Sequence, residues 1–376
     1  MPIYKLSGKK DGRQKYRVRA NYVDRDGKYR QAERVTYGAD NAKALEMQLL
    51  DEFSISAEVA GNQMTLQELH DVYMSTKKHE IRETTLDKHR RTMEGHVLPT
   101  LGATKLKKLN IQSLQKWKTA LEESALGLRS KQNIYATLRT ALNFAVKYEY
   151  LSRSPLDKLD NFKDPLAEPK SFDFYTADEF KAFISAAHDA AMGANALNEW
   201  GFYIFFMIAF YCGMRKGEIN ALRWCDIDGN QFHVRRSVAQ KLKGEDRFTP
   251  PKNKQSYRTI QAPKPLLRAL SKYKTLLRKN GITIEDELLV CGLHRPLRDT
   301  TIEKRNKHFA EVAGLKKIRI HDFRHSHASL LANNGINIQE ISRRLGHAKI
   351  EITWNTYSHL YPRENEKAMS VLDKVA

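Results

Sequence analysis

Cysteine is scarce in this chain. Only Cys212, Cys225 and Cys291 occur among 376 residues, and no two of them form a CxxC pair. That argues against a disulfide framework and against a cysteine-built zinc site, and it points to a reducing compartment. Long apolar runs are missing too. No stretch approaches the ~18 apolar residues that a bilayer crossing needs. The most apolar segment, from Asn198 to Cys212, is too short for one and reads as a buried helix. The opening stretch MPIYKLSGKKDGRQ has no apolar core, so a secretory leader is not expected there. Internal repeats and low-complexity tracts are also lacking.

Positive charge, by contrast, is in excess. There are 64 Lys and Arg against 44 Asp and Glu, a formal net of +20, while 41% of residues are apolar. This is the composition of a globular chain with a polyanionic partner, because neutralising phosphates releases counterions. Anionic membranes would suit the same charge. Without apolar spans, DNA or RNA inside the cell is the leading expectation.

The chain reads as three parts: 1–60, 64–155 and 170–376. Residues 13–22 alternate as a strand, with Tyr16, Val18 and Ala20 on one face and Arg17 and Arg19 on the other. A turn at 24–27 and a second strand near 28–36 follow. Asp40 is expected to cap a helix carrying Leu45, Leu49 and Phe53. Residues 1–37 hold 11 Lys and Arg against 4 Asp and Glu, so a basic sheet could lie against a DNA groove. After a linker at 61–63, Thr65 to Glu68 fits a capping box opening a bundle of about four helices. Leu66, Leu69, Val72 and Tyr73 form one of its apolar faces; Leu98, Pro99 and Gly102 mark a break. A connector from Ser152 to Pro169 precedes a larger mixed domain. There 226–238 and 255–261 read as strands, with Asp228-Gly229 as a turn, and 321–332 and 337–345 as helices ending near Gly335 and Gly346.

Four segments of that last part gather groups suited to a phosphodiester. In 212–218 (CGMRKGE), Arg215 follows a buried helix, and Glu218 can fix it from three residues on. The segment 250–258 (PPKNKQSYR) is a basic loop holding Lys252 and Lys254. In 321–327 (HDFRHSH), His321 and Arg324 are three apart. In 345–359 (LGHAKIEITWNTYSH), His347 follows a helix-ending glycine, and Tyr357 comes ten residues later. Each segment alone is a weak signal.

Together, in this order, RKGE, HDFRH, LGH and TWNTYSH resemble the catalytic boxes of the tyrosine recombinases, the phage-integrase family. About 110 residues separate the two arginines and about 33 separate the second arginine from the tyrosine, which agrees with that family. The resemblance extends over nearly the whole chain, to the three-domain integrases of temperate phages and conjugative transposons. It implies a small N-terminal three-stranded sheet plus helix, a helical-bundle core-binding domain, and a mostly α, mixed α+β catalytic domain. It implies that Tyr357 is the nucleophile and that Arg215 and Arg324 grip the non-bridging oxygens. His321 would serve as base or hydrogen-bond partner, His347 as phosphate donor, and Lys252 as general acid, with Lys254 left open. No cofactor and no metal are implied. The implied partners are double-stranded DNA, at core sites and separate arm sites, and three further copies of the chain in a tetramer. A host DNA-bending protein and an excision factor are implied as accessories, and the implied location is on DNA in the cytoplasm of a bacterial host.

The family's frequent threonine before the first-box glycine is Cys212 here, expected to be a packing position. Tyr361 lies outside the box. His325 and His327, with His321, could suggest zinc, but the accompanying HExxH or cysteine pattern is missing. Two other functions share parts of this pattern: a type IB topoisomerase-like relaxing enzyme, and a DNA-binding regulator without catalysis. The integrase-like boxes and the full set of polar positions argue against both. The tail 362–376, with Met369, Val371 and Leu372 as an apolar stripe, is expected to pack on a neighbouring copy.

Overall fold

Alternation at the start of the chain becomes a three-stranded antiparallel sheet of β1 (Ile3–Lys10), β2 (Arg13–Val23) and β3 (Tyr29–Tyr37), in that order. The computed structural model describes residues 3–23, 29–49, 63–164, 172–193, 195–242, 245–251 and 254–361. The turn at 24–27, Phe53, Lys252, the tail 362–376 and parts of both connectors lie outside the described residues. Val18 is fully buried with Ala42 and Leu49 of helix α1 (39–49). On the opposite face Arg19 donates to Glu33 at 2.7 Å, so part of the sheet's positive charge is neutralised within it. Asp40 does not cap α1, because it is already the second helical residue. The chain turns instead at Gly38, whose carbonyl accepts from the Ala42 amide at 3.1 Å.

The first of two units, Met1–Glu168, continues with α2 (Leu66–Lys77), α3 (Glu83–His96), the single turn α4 (Leu98–Leu101), α5 (Ile111–Glu123) and α6 (Leu128–Lys147). The capping box that opens α2 is complete. Thr65 N donates to Glu68 Oε2 at 2.7 Å, and Glu68 N donates to Thr65 Oγ1 at 3.2 Å. Helical spacing then sets Leu66, Leu69, Met93, Leu114, Leu138 and Leu142 into one core, each stabilising it by about 1.5–3 kcal/mol.

The second unit, Pro169–Ala376, is built on α7 (Ala177–Ala191) and α8 (Ala196–Tyr211), followed by the short α9 (Lys216–Asn220). Because α8 is apolar on every side it must be covered all round. Ile204, Phe205, Phe206 and Ile208 are fully buried, and Phe210 stacks on Phe180 of α7 at 3.7 Å. The segment 226–238 turns at Asp228-Gly229, as its Asp-Gly pair suggests, and breaks again before Ser237. It forms β4 (Ile227–Asp228), a turn at Gly229, β5 (Gln231–Val234) and β6 (Ser237–Leu242), which pairs with β7 (Glu245–Thr249). Residues Lys254–Ser256 form a 3-10 turn, so β8 (Arg258–Gln261) starts later than the sequence suggested and joins β5. Among the described residues five more helices follow: α10 (Lys264–Lys279), α11 (Asp299–Val312), α12 (Asp322–Asn333), α13 (Ile338–Leu345) and α14 (Ile350–Tyr357). Among the described residues no helix is long and apolar enough to cross a membrane.

Candidate active site

The cleft begins where α8 stops. Gly213 takes a left-handed φ of +59°, and a Cβ there would lie 2.6 Å from the His327 ring; glycine is needed for both reasons. The turn delivers Arg215 to the start of α9. Glu218, three residues on and buried, accepts from the Arg215 amide and from its Nη1, both at 2.9 Å. The same carboxylate accepts from Arg258 Nη2 at 2.9 Å and Nη1 at 3.2 Å. Arg258 Nε donates to the Arg344 carbonyl at 2.7 Å, which ties β8 to the end of α13. In the sequence Arg258 is only the last residue of the basic segment 250–258. Its exposed neighbour Tyr257 and the run of basic residues gave no sign that this arginine turns inward.

Arg324, on the first turn of α12, is only 2% exposed. Its Nη1 donates to the Gly213 carbonyl at 2.8 Å and its Nη2 to the Leu345 carbonyl at 2.5 Å. Among the described residues it forms no ion pair. Gly346, at φ +64°, ends α13 in the left-handed region, and a Cβ there would press on Arg258 Cδ at 2.9 Å. His347 follows, half-buried, with Nδ1 2.7 Å from Thr353 Oγ1. If that hydroxyl donates, the imidazole proton sits on Nε2, free to meet a ligand. Tyr357, at the end of α14, is 2% exposed. Its phenol lies 2.6 Å from Nδ1 of His325. His321 precedes α12 with its ring edge-on to His325 at 5.2 Å, and no hydrogen bond joins it to Tyr357.

Arg215, His321, Arg324, His347 and Tyr357 thus belong to one cleft. Lys252 lies outside the described residues, as does the side chain of Lys254. Tyr361 turns away and donates to the Ile336 carbonyl at 2.6 Å. His327 is buried beneath the cleft and accepts from Arg344 Nε at 3.3 Å, so the three histidines of HDFRHSH have three different neighbourhoods. Cys212 is a fully buried core residue. Among the described residues no group of three or more His, Cys, Asp or Glu is placed to hold a metal ion.

Burial and cations set the electrostatics. Burial alone would raise the Glu218 carboxyl, but Arg258 first and then Arg215 hold it down at about 2. Burial, reinforced by Arg324, Arg215 and Arg258, lowers His347 to about 3. His321 keeps an exposed edge, yet crowding by protein, and then Arg324, His325 and Arg215, hold it at about 4. Burial lowers Arg324 to about 9, with help from Arg215 and Arg258, so it stays charged at neutral pH. Burial raises the Tyr357 phenol, against the pull of Arg324. The cleft therefore holds Arg215, Arg258 and Arg324 against Glu218, with Asp322 paired to Arg319, neutral imidazoles and a protonated phenol. Such a cleft is short of negative charge, and an anion with several oxygens would supply it.

A cation-rich cleft suited to a phosphodiester, on a basic chain of this architecture, defines a DNA strand-transfer enzyme. Residues 173–364 match the model of the phage integrase family, and residues 65–121 match the phage integrase N-terminal SAM-like domain. The first match alone spans half of the chain, which belongs to the phage integrase family and is a site-specific tyrosine recombinase. It is 29% identical to the ICEBs1 integrase of Bacillus subtilis (strain 168), over 88% of this chain and 89% of that protein. Its fold is similar to the Tn1549 transposon integrase in complex with transposon right end DNA, with a TM-score of 0.64 and 19% identity, covering 83% of this chain and 99% of that one. It is also similar to the lambda integrase tetramer bound to a Holliday junction, with a TM-score of 0.57 and 17% identity, covering 96% of each chain.

Proposed function

We propose that Tyr357 attacks a phosphorus of the DNA backbone, leaving a 3′-phosphotyrosine and a free 5′ hydroxyl, and that a second 5′ hydroxyl reverses the step to join exchanged strands. The observation that carries this reading is Arg324: a buried cation held by two backbone carbonyls, with no carboxylate partner of its own among the described residues. Burying a charge without a counter-charge is costly. A phosphate oxygen beside Arg324 and Arg215 would offset that cost, most of all when the five-coordinate phosphorus carries extra charge. Preset carbonyls and Glu218 hold both guanidinium forks in place before the substrate arrives. His347 donates to the same phosphate and His321 stands at its edge. Lys252, or Lys254 beside it, protonates the departing 5′ oxygen.

The remaining assignments rest on likeness. The solved relatives are bound to a transposon end and, as a tetramer, to a Holliday junction. On that ground we assign this chain a tetramer on two double-stranded DNA sites. Residues 64–155 and 170–376 grip the core site, and the basic sheet in 1–60 binds separate arm sites. Host bending and excision factors assist, and the reaction takes place on DNA within the bacterial cytoplasm.

Covalent trapping tests the central claim. Wild type, Tyr357→Phe and Tyr361→Phe are incubated with a nicked suicide substrate carrying the element's end. A protein–DNA band that survives in Tyr361→Phe and disappears in Tyr357→Phe is the expected result. A band that persists in Tyr357→Phe would sink the assignment.

A further inference from the structure

The phenol of Tyr357 has one hydrogen-bond partner among the described residues, and it is His325. A base must stand about 2.6–3.2 Å from the proton's heavy atom; the Oη–Nδ1 distance is 2.6 Å. The imidazole is itself held on two sides. Phe172 stacks on it at 4.6 Å and 25°, and meets the Tyr357 ring edge-on at 5.6 Å. The His321 ring closes the other side at 5.2 Å and 85°. These contacts fix the imidazole plane so that Nδ1 faces the phenol, and they leave His321 without a bond to it.

We propose that His325, rather than His321, is the base that takes the Tyr357 proton during strand cleavage. The proposal rests on Tyr357 being the nucleophile. As the Tyr357 Oη–P bond forms, the bond from phosphorus to the 5′ oxygen breaks. The phenol proton passes to His325 Nδ1, giving an imidazolium, and the departing 5′ oxygen takes its proton from the separate lysine acid. On resealing, the incoming 5′ hydroxyl gives its proton up to that lysine and His325 returns its own to the phenolate, so the cycle closes with no net proton change. The acceptor tautomer, protonated on Nε2, is the one that serves. Burial keeps His325 neutral to lower pH than an ordinary imidazole, so its lone pair is available at neutral pH. The groups around it act in both directions. Asp322 favours its protonated form, while Arg319 and Arg324 oppose it. His321, the Tyr357 phenol, and His359 beyond Phe172 complete the surroundings.

The test separates the two ends of the reaction. Cleavage is timed with an ordinary suicide substrate and with one whose bridging 5′ oxygen is sulfur, a leaving group that needs no acid. His325→Gln should slow both substrates by about 10²-fold, lose the acid limb of the pH–rate profile, and bind the DNA as wild type does. Wild-type rates in His325→Gln, or a defect that sulfur repairs, would overturn the proposal. Phe172→Leu is the second variant, because it keeps both reacting groups and only lets water reach the imidazole. Its acid limb should move to higher pH, and an unmoved limb counts against the base assignment even if His325→Gln fails to fold. Tyr357→Phe is run beside them. A covalent band there removes the nucleophile reading, and this proposal with it. No band there, with normal cleavage by His325→Gln, removes only the proposal.

Discussion

This chain buries histidine in two places, and the two behave differently. In the helical unit, His70 and His89 are 2% and 7% exposed, and Tyr73 stacks on His89 at 4.3 Å. Among the described residues neither ring nitrogen of His89 makes a well-formed hydrogen bond, and the Thr137 backbone nearby only weakly favours its charged form. Burial, and then the neighbouring His70, lowers His89 to about 4. In the cleft His321 is also held at about 4, but there Arg324 and Arg215 act on it, and His325 and His347 each have a polar partner. A depressed pKa is therefore common to a packed core and a reaction centre. What separates them is the company: oriented side-chain hydrogen bonds and a strong positive field in one, and in the other desolvation first, with only His70 and the Thr137 backbone beside it.

The sharpest way to break this distinction is at Arg324. Lysine would keep the charge but lose the fork that reaches the Gly213 and Leu345 carbonyls together. Cleavage by Arg324→Lys should fall by about 10²- to 10³-fold, read as single-turnover formation of the covalent complex, with a much smaller loss of DNA affinity. A variant that cleaves near the wild-type rate would mean that the preset geometry of the cleft contributes little.

Glu218 sharpens the comparison from the stability side. It joins Arg215 and Arg258 through four hydrogen bonds, so Glu218→Gln leaves a nearly buried Arg258 without its counter-charge. The expected cost is about 2–3 kcal/mol in urea unfolding at pH 7. The sign with pH follows from the carboxyl sitting at about 2 in the fold against an ordinary 4.5. Its contribution is fully present above 4.5 and fades as pH falls toward 2, so wild type and variant should converge in acid. Parallel curves would show that the charge of Glu218 does not matter.

Much of the architecture was legible because it rests on local rules. Thr65 and Glu68 announce a helix start, the all-apolar α8 announces burial, and Gly213 and Gly346 announce the turns that feed the cleft. The residue types at Arg215, His321, Arg324, His347 and Tyr357 were readable from their order. The bond from Arg215 to Glu218 was readable from its three-residue spacing, but those of Arg324 and Tyr357 were not, since they link residues about 20 to 110 positions apart. Arg258 looked like one more basic residue of a loop, and His325 looked like a bystander of the HxxR box. Only packing of α12 against α14 and Phe172 brings that imidazole to the phenol. Asp40 misled for the opposite reason: its side chain suits a cap, but Gly38 had already taken the turn.

The mildest test of the comparison lies in the bundle. His89 sits at about 4 in the fold against an ordinary 6.5. Below pH 6.5 the unfolded chain takes up a proton that the folded helices refuse, so stability is lost progressively as pH falls toward 4. The loss should reach roughly 2–3 kcal/mol by pH 4.5. His89→Phe keeps a ring against Tyr73 and removes the proton site, so it should be close to wild type at pH 7 and more stable in acid. Hydrogen exchange of the α2, α3 and α6 amides, followed at pH 7 and at pH 4.5, isolates this unit from the titrations of the cleft. An acid loss that is the same with and without His89 would show that its burial is already compensated, and the contrast between a bare core histidine and a partnered one would no longer hold.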